Sequence, residues 1–190
     1  MPDALNLLST RRSVKPVELA GPAPSAAEID TILTVASRVP DHGKLTPWRF
    51  IVFEGDARLA AGEKIAAQFR VKRPDATPDQ IEQEGKRLAR APLVIAVVSR
   101  AAPHVKIPEW EQIMSAGAAA TSLVMAAHAL GYAANWLTEW YAYDRDVLDA
   151  MGLAPTERIA GFVHIGRADK LPEDRPRPPL AEIVTRYGAN

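Results

Sequence analysis

The chain alternates between stretches of helical periodicity and shorter, continuously apolar runs. Leu5, Leu7 and Leu8 follow Asp3, a residue suited to cap a short first helix. Ser25 and Glu28 have the spacing of a capping box, and Ile29, Ile32, Leu33 and Ala36 then recur on one helical face. Asp56 to Arg70 predicts a third helix. Thr77, Pro78 and Gln80 open a fourth, because proline suits the first helical position and glutamine reaches back to the cap; it is expected to run to Arg90. A long helix, Gln112 to Leu130, is closed by Gly131, and a short one, Asp144 to Met151, by Gly152. Strands are expected at Trp48 to Phe53, Leu93 to Ser99, Ala133 to Thr138 and Ile159 to Ile165, and Leu93 to Val98 is apolar enough to be buried on both faces. Helices outnumber strands and alternate with them irregularly, which predicts an α+β fold around a small central sheet.

Length adds that the 190 residues, 47% of them hydrophobic, form one domain spanning 1–190 and sustain a core without metal or disulfide staples. Its last part, 171–190, is set apart as a tail. Leu171 to Leu180 mixes prolines with opposite charges and is expected to be extended, and the apolar-patterned Leu180, Ile183, Val184 and Tyr187 come after it. Such a tail either crosses onto a neighbouring subunit or folds back on its own domain.

Charge narrows the partners. Twenty-three basic and 23 acidic side chains cancel, so no global field gathers nucleic-acid phosphates or an acidic membrane. Ile113 to Leu137 lacks Asp, Glu, Lys and Arg over a bilayer-spanning length, but its small residues together with Ser115, Thr121, Ser122, His128 and Asn135 favour a buried helix instead. The N-terminus has no basic region followed by an apolar one, so cytoplasmic residence is expected. With no cysteine, disulfides, thiolate catalysis and iron-sulfur clusters are excluded, and redox chemistry needs a bound cofactor. His42, His104, His128 and His164 are too scattered to suggest a local metal site, and none is expected. Asp41 beside His42 is a weak acid/base candidate, because adjacent side chains rarely orient each other.

Arg11, Arg12 and Ser13, with Lys15 just beyond, lie where the first helix ends. Two guanidiniums, a hydroxyl and an ammonium within one turn make a compact phosphate grip, or else a solvated basic end that complements the helix dipole. Arg167 is a second cationic point, after Ile165 and Gly166 at the end of a predicted strand.

These motifs carry a resemblance. Leu7 to Lys15 (LLSTRRSVK) resembles the N-terminal motif of the flavin-dependent nitroreductase family, and Arg38 to Trp48 (RVPDHGKLTPW) resembles the Pro-Asp-His form of its next motif, found in the YdjA-like branch. Trp110 to Gly117 (WEQIMSAG), the strand around Asn135 to Thr138, Gly161 to Gly166 (GFVHIG) and Pro179 to Val184 (PLAEIV) continue it in order along nearly the whole chain. The resemblance implies a nitroreductase-like α+β fold, a mostly antiparallel sheet surrounded by helices with a C-terminal extension onto the partner subunit. It also implies a homodimer with FMN at the interface, and NADH or NADPH as hydride donor.

Residue by residue, Arg11 and Ser13 match positions that hold the FMN phosphate, with Arg12 beside them and Arg167 completing the site. Lys15 matches a basic residue that reaches the N1 and C2 side of the ring in some relatives. Arg38 and His42 match cofactor-contacting positions, and Trp136, Leu137 and Thr138 match the segment that runs along the ring. Thr46 stands where the family commonly has an asparagine at the pyrimidine edge. Trp110, Trp140, Tyr141 and Tyr143 are candidates for a pocket over the flavin, whereas Trp48 suits core packing. The implied activity is ping-pong hydride transfer through FMN to nitro-, quinone-like or other small organic acceptors. No side chain is then required as acid, base or nucleophile. The alternatives are a flavin-dependent dehydrogenase or reductase of one metabolite, and a non-catalytic flavin-binding protein.

Overall fold

The computed structural model describes residues 3–188. Its elements are α1 (Ala4–Thr10), α2 (Ala26–Ala36), β1 (Trp48–Glu54), α3 (Ala57–Lys72), α4 (Pro78–Gly85), β2 (Leu93–Ser99), α5 (Glu109–Ala129), β3 (Ala133–Leu137), α6 (Arg145–Ala150), β4 (Arg158–Gly166) and α7 (Leu180–Ile183). The strands form one antiparallel sheet in the order β1-β2-β4-β3, with a register shift between Val97 and Val98. The expected α+β class and mostly antiparallel sheet are what forms.

Strand β2 is buried along its whole length because both faces are covered. On one face Leu93, Ile95, Val97, Val163 and Ile165 pack against Ile29 and Ile32 of α2 and against the Ala-rich side of α5. Small residues on α5 let it lie close to the sheet, where larger side chains would hold it away. On the other face Val94, Ala96, Val98 and Phe162 meet Ile65 of α3, Tyr141, and Val147 and Leu148 of α6. Each large side chain fully buried in these layers contributes about 1.5–3 kcal/mol.

Both predicted capping boxes form, Ser25 with Glu28 and Thr77 with Gln80. Three local expectations change. The helix begun at Pro78 does not continue to Arg90: it ends at Gly85, and Arg87–Arg90 forms a separate 3-10 turn. Gly85 lies against Gly62, where an added Cβ would come within 1.8 Å of the Gly85 carbonyl oxygen, so the two helices meet backbone to backbone. Asp3 precedes α1, but its carboxylate makes no capping hydrogen bond. Strand β3 stops at Leu137, one residue early, while β4 extends to Arg158 and Gly166. Among the described residues no helix is long and apolar enough to cross a membrane, and no group of side chains has the arrangement of a metal site.

Two kinds of buried or half-buried titratable group make the fold sensitive to acid. Burial, followed by the charge of Arg90, pushes His164 down to about 4; burial, followed by Arg11, does the same to His128. Glu157 is held at about 2, first by hydrogen bonds from Arg49 at 2.6 and 2.7 Å and further by the Ala154 N–H. All three bind protons more weakly folded than unfolded. The histidine contribution is therefore complete above about pH 6.5 and is lost as the pH falls toward 4, and that of Glu157 is complete above about pH 4.5 and lost toward pH 2. A urea midpoint followed against pH is expected to fall in these two stages, with Glu157→Gln removing about 2–3 kcal/mol and flattening the lower one. A wild-type midpoint level between pH 4.5 and 2.5 would contradict the role given to Glu157.

Candidate functional site

The segment after α1 reaches the sheet through hydrogen bonds that no local pattern announces. The Val14 N–H donates to the Ala134 carbonyl at 3.3 Å, and the Asn135 side chain donates to the Val14 carbonyl at 2.8 Å. Ala20 and Arg167 pair further along, each N–H donating to the other's carbonyl at 2.7 and 2.8 Å. Residues 11–15 are thereby fixed beside the edge strand β3, which leads directly into Trp136, Leu137 and Thr138. Asn135 is the residue that positions the basic segment, and no local pattern reveals that pairing because its partner is 121 positions away.

Arg11 and Arg12 are half-buried, and Ser13 is exposed between them and Lys15. Arg11 Nη1 donates to Ser13 Oγ at 3.4 Å. Arg12 Nη1 is buried without a hydrogen-bond partner and pairs at 3.7 Å with Asp174 of the tail. Beside them lies an open cavity of about 750 Å³ whose lining sets Arg12, Lys15 and Lys170 against Glu18, Asp169 and Glu173, with Ser13 and Leu171 between them. Burial, then the charges of Arg177, Arg12 and Arg175, lowers the Arg11 pKa from its usual value. Positive charge is in excess around Arg11, while the cavity's own cations and carboxylates balance, and Arg12 keeps free donor capacity, which suits a phosphate monoester.

Lys15 is largely exposed, its Nζ 3.9 Å from Glu18. Arg167 points elsewhere: its guanidinium lies 4.1 Å over the Tyr132 ring and donates to the Gly131 carbonyl at 3.0 Å. Arg38 is exposed just past α2. His42 Nδ1 lies 2.7 Å from Glu111 Oε2 of α5, so the imidazole's partner is Glu111 and not the adjacent Asp41. The Asp41 carboxylate instead accepts the N–H groups of Leu45 and Thr46 at 3.0 and 2.9 Å.

That interaction holds a strained loop. Lys44 and Thr46 both have positive φ, 56° and 47°, and for a β-branched residue this is unfavourable. Asparagine tolerates this conformation better. Thr46→Asn is expected to raise stability by about 0.5–1 kcal/mol in denaturant unfolding. A lowered midpoint would show that the threonine is required for another reason.

The segment at the end of β3 is shaped by a glycine. Trp136 Nε1 donates to the Ala160 carbonyl at 3.0 Å, and its ring lies over Gly161, where a Cβ would come within 1.8 Å of the indole nitrogen. Leu137 is half-buried and Thr138 exposed, and Glu139 anchors the 3-10 turn Trp140–Ala142 beyond them. The Glu139 carboxylate accepts hydrogen bonds from Arg87 at 2.8 Å, from Arg90, and from the Tyr141 hydroxyl at 2.8 Å. Burial opposes its ionisation, but Arg90, Tyr141 and Arg87 together hold its carboxyl below the usual range. Of the aromatic candidates, Trp48 and Tyr141 are core, Trp140 packs on Phe69 and donates to Glu84, and Trp110 and Tyr143 are exposed.

Residues 8–167 match the nitroreductase family. The chain belongs to the nitroreductase family. It is 37% identical over 166 residues to a protein of Escherichia coli (strain K12) named "Putative NAD(P)H nitroreductase YdjA", covering 86% of this chain and 87% of that one. The fold is shared with a nitroreductase-like family protein from Bacillus cereus, with a TM-score of 0.83 at 23% identity, covering 100% of this chain and 98% of the other. A protein from Desulfovibrio desulfuricans described as a "putative nitroreductase in complex with fmn" superposes with a TM-score of 0.76 at 24% identity over the full length of both chains. The two basic residues, the serine and the Pro-Asp-His loop all fall inside the matched range of the family.

Proposed function

We propose that this nitroreductase-family chain is an FMN-dependent oxidoreductase that uses NADH or NADPH to reduce nitro-, quinone-like or other small organic acceptors in a ping-pong cycle. The observation that carries the reading is the cationic cluster at the end of α1, where Arg12 has a buried guanidinium nitrogen without a hydrogen-bond partner and Ser13 an exposed hydroxyl. Those donors fit a phosphate monoester. Arg11, Arg12 and Ser13 would hold the FMN phosphate through charge-assisted hydrogen bonds. When bound, FMN supplies the two-electron chemistry between nicotinamide and acceptor.

The protein's part is positioning. Lys15, on the same cavity wall as Ser13, is proposed to place positive charge near the pyrimidine side of the ring, which favours an anionic reduced form. The backbone of Leu137 and Thr138 would border the ring, held by the Glu139 network behind it. Arg38 and the Glu111-held His42 are proposed to contact the cofactor from the other side, with Arg167 acting on the phosphate only after leaving Tyr132.

Assembly as a homodimer is part of the proposal. Leu5 and Leu8 on α1, Trp110 and Met114 on α5, and Leu180 and Ile183 on the tail are each at least half exposed. Apolar faces on several elements are what a second copy would cover, with the tail's end as one candidate contact.

The test is the visible spectrum of the purified protein followed by anaerobic addition of NADH and then NADPH. Flavin bands that bleach promptly are expected. Bands that persist with both donors would favour a flavin-binding protein, and a colourless protein that FMN cannot reconstitute would overturn the reading.

A further inference from the structure

The loop that carries His42 is held to α5 at two points. Ser115 Oγ donates to the Pro40 carbonyl at 2.6 Å and accepts from Trp48 Nε1 at 3.1 Å. Glu111, one turn earlier on the same face of the helix, accepts from His42 Nδ1 at 2.7 Å. Just beyond, the chain passes through positive φ at Gly43, Lys44 and Thr46, and Ile107 lies so close that a Cβ on Gly43 would come within 2.5 Å of it. The Asp41 carboxylate is turned onto the Leu45 and Thr46 N–H groups, which leaves Glu111 as the carboxylate on the imidazole. Stability does not explain this pair, because His42 is 62% and Glu111 41% exposed, and exposed pairs contribute at most about 1 kcal/mol. What the contact fixes is direction. An ionised carboxylate only accepts, so Nδ1 carries the hydrogen. Nε2 has no partner among the described residues and is left free at the end of α5 that also exposes Trp110 and Met114.

We propose that His42 is the acid that protonates the acceptor as it is reduced, and that Glu111 is the residue that positions it. The proposal deepens the reading given above and rests on His42 meeting the cofactor. A quinone that receives a hydride must still gain one proton to leave as the hydroquinone. A nitro group that receives one must gain a proton to lose an oxygen as water and become nitroso. In its protonated form His42 supplies that proton: the Nε2–H bond breaks as the acceptor O–H bond forms, Nδ1–H stays on Glu111, and water reprotonates Nε2. Helix α5 has 21 residues, about 30 Å, with Glu111 in its first turn and His128, beside Arg11, in its last. The pair therefore serves the cofactor held by the second copy in the proposed homodimer.

The experiment uses FMN-loaded protein reduced anaerobically with NADH or dithionite and mixed with a para-quinone, a nitroaromatic or ferricyanide, which takes one electron and no proton. Relative to ferricyanide, the quinone and nitro rates are expected to fall about tenfold in Glu111→Ala and about a hundredfold in His42→Asn. Glu111→Gln, whose amide oxygen can still accept from Nδ1, is expected to recover part of the loss. Nitrogen-15 spectra of the flavin-free protein give a readout apart from turnover. The neutral His42 ring is expected to carry its hydrogen on Nδ1 in the wild type and in Glu111→Gln, and to shift toward Nε2–H in Glu111→Ala. Equal losses with all three acceptors, or a wild-type ring with its hydrogen on Nε2, would overturn the proposal while leaving the flavin chemistry intact. A protein that takes up no FMN would overturn both.

Discussion

Arg11→Ala is expected to weaken FMN binding by about tenfold to a hundredfold while leaving the flavin-free protein as stable as before or slightly more so. The two halves of this expectation come from the same cluster. In the absence of an anion, Arg11 is partly desolvated and repelled by Arg177, Arg12 and Arg175, so its charge is held at a cost to the fold. Among the described residues its one side-chain hydrogen bond is the long one to Ser13 Oγ and no carboxylate pairs with it, and the half-buried His128 stays neutral beside it. A phosphate dianion reverses the balance, each charge-assisted hydrogen bond contributing about 1.5–3 kcal/mol, which sets the expected loss. Fluorescence titration of the flavin-free variant with FMN gives the affinity, and its thermal midpoint gives the stability. An unchanged dissociation constant would remove Arg11 from the phosphate site. A large drop in midpoint would show that the residue serves the fold instead.

The same cluster shows which parts of the site are legible in a sequence. Arg11, Arg12 and Ser13 are adjacent, so their chemistry can be read directly, as can the capping boxes at Ser25 and Thr77, whose partners lie three residues away. Strand β2 is legible because a strand buried on both faces needs an unbroken apolar run, and the other three because they are rich in apolar, β-branched or aromatic residues. What escapes is set by contacts between distant segments. The break at Gly85 arises from its packing against Gly62 on another helix, although the pattern up to Arg90 is helical. Glu111 as the partner of His42, Asn135 as the anchor of Val14, and Asp174 beside Arg12 each join residues that only the fold brings together. Asp41 illustrates the converse. Its sequence neighbour His42 suggests one role, and the strained loop after it uses its carboxylate for another.

Glu139→Ala is expected to destabilise the protein by about 3–5 kcal/mol and, at temperatures where it remains folded, to disturb the site at the end of β3. Glu139 comes directly after Thr138, and its carboxylate is shared by Arg87, Arg90 and Tyr141, none of which is fully exposed. Removing it leaves two partly buried guanidiniums without their common counter-charge and the Tyr141 hydroxyl, at the centre of the α3 and α6 layer, without an acceptor. Glu84 retains Arg87 and Trp140, so the loss falls mainly on Arg90, which also lies near the uncharged, buried His164. The arrangement therefore predicts a difference between two variants. Arg90→Ala together with Glu139→Ala is expected to be less damaging than the sum of the single changes, because the double variant leaves fewer unpaired charges. A double-mutant cycle on urea unfolding measures that coupling. Additive losses would mean that the pair is screened by solvent and does not act as a unit behind the end of β3.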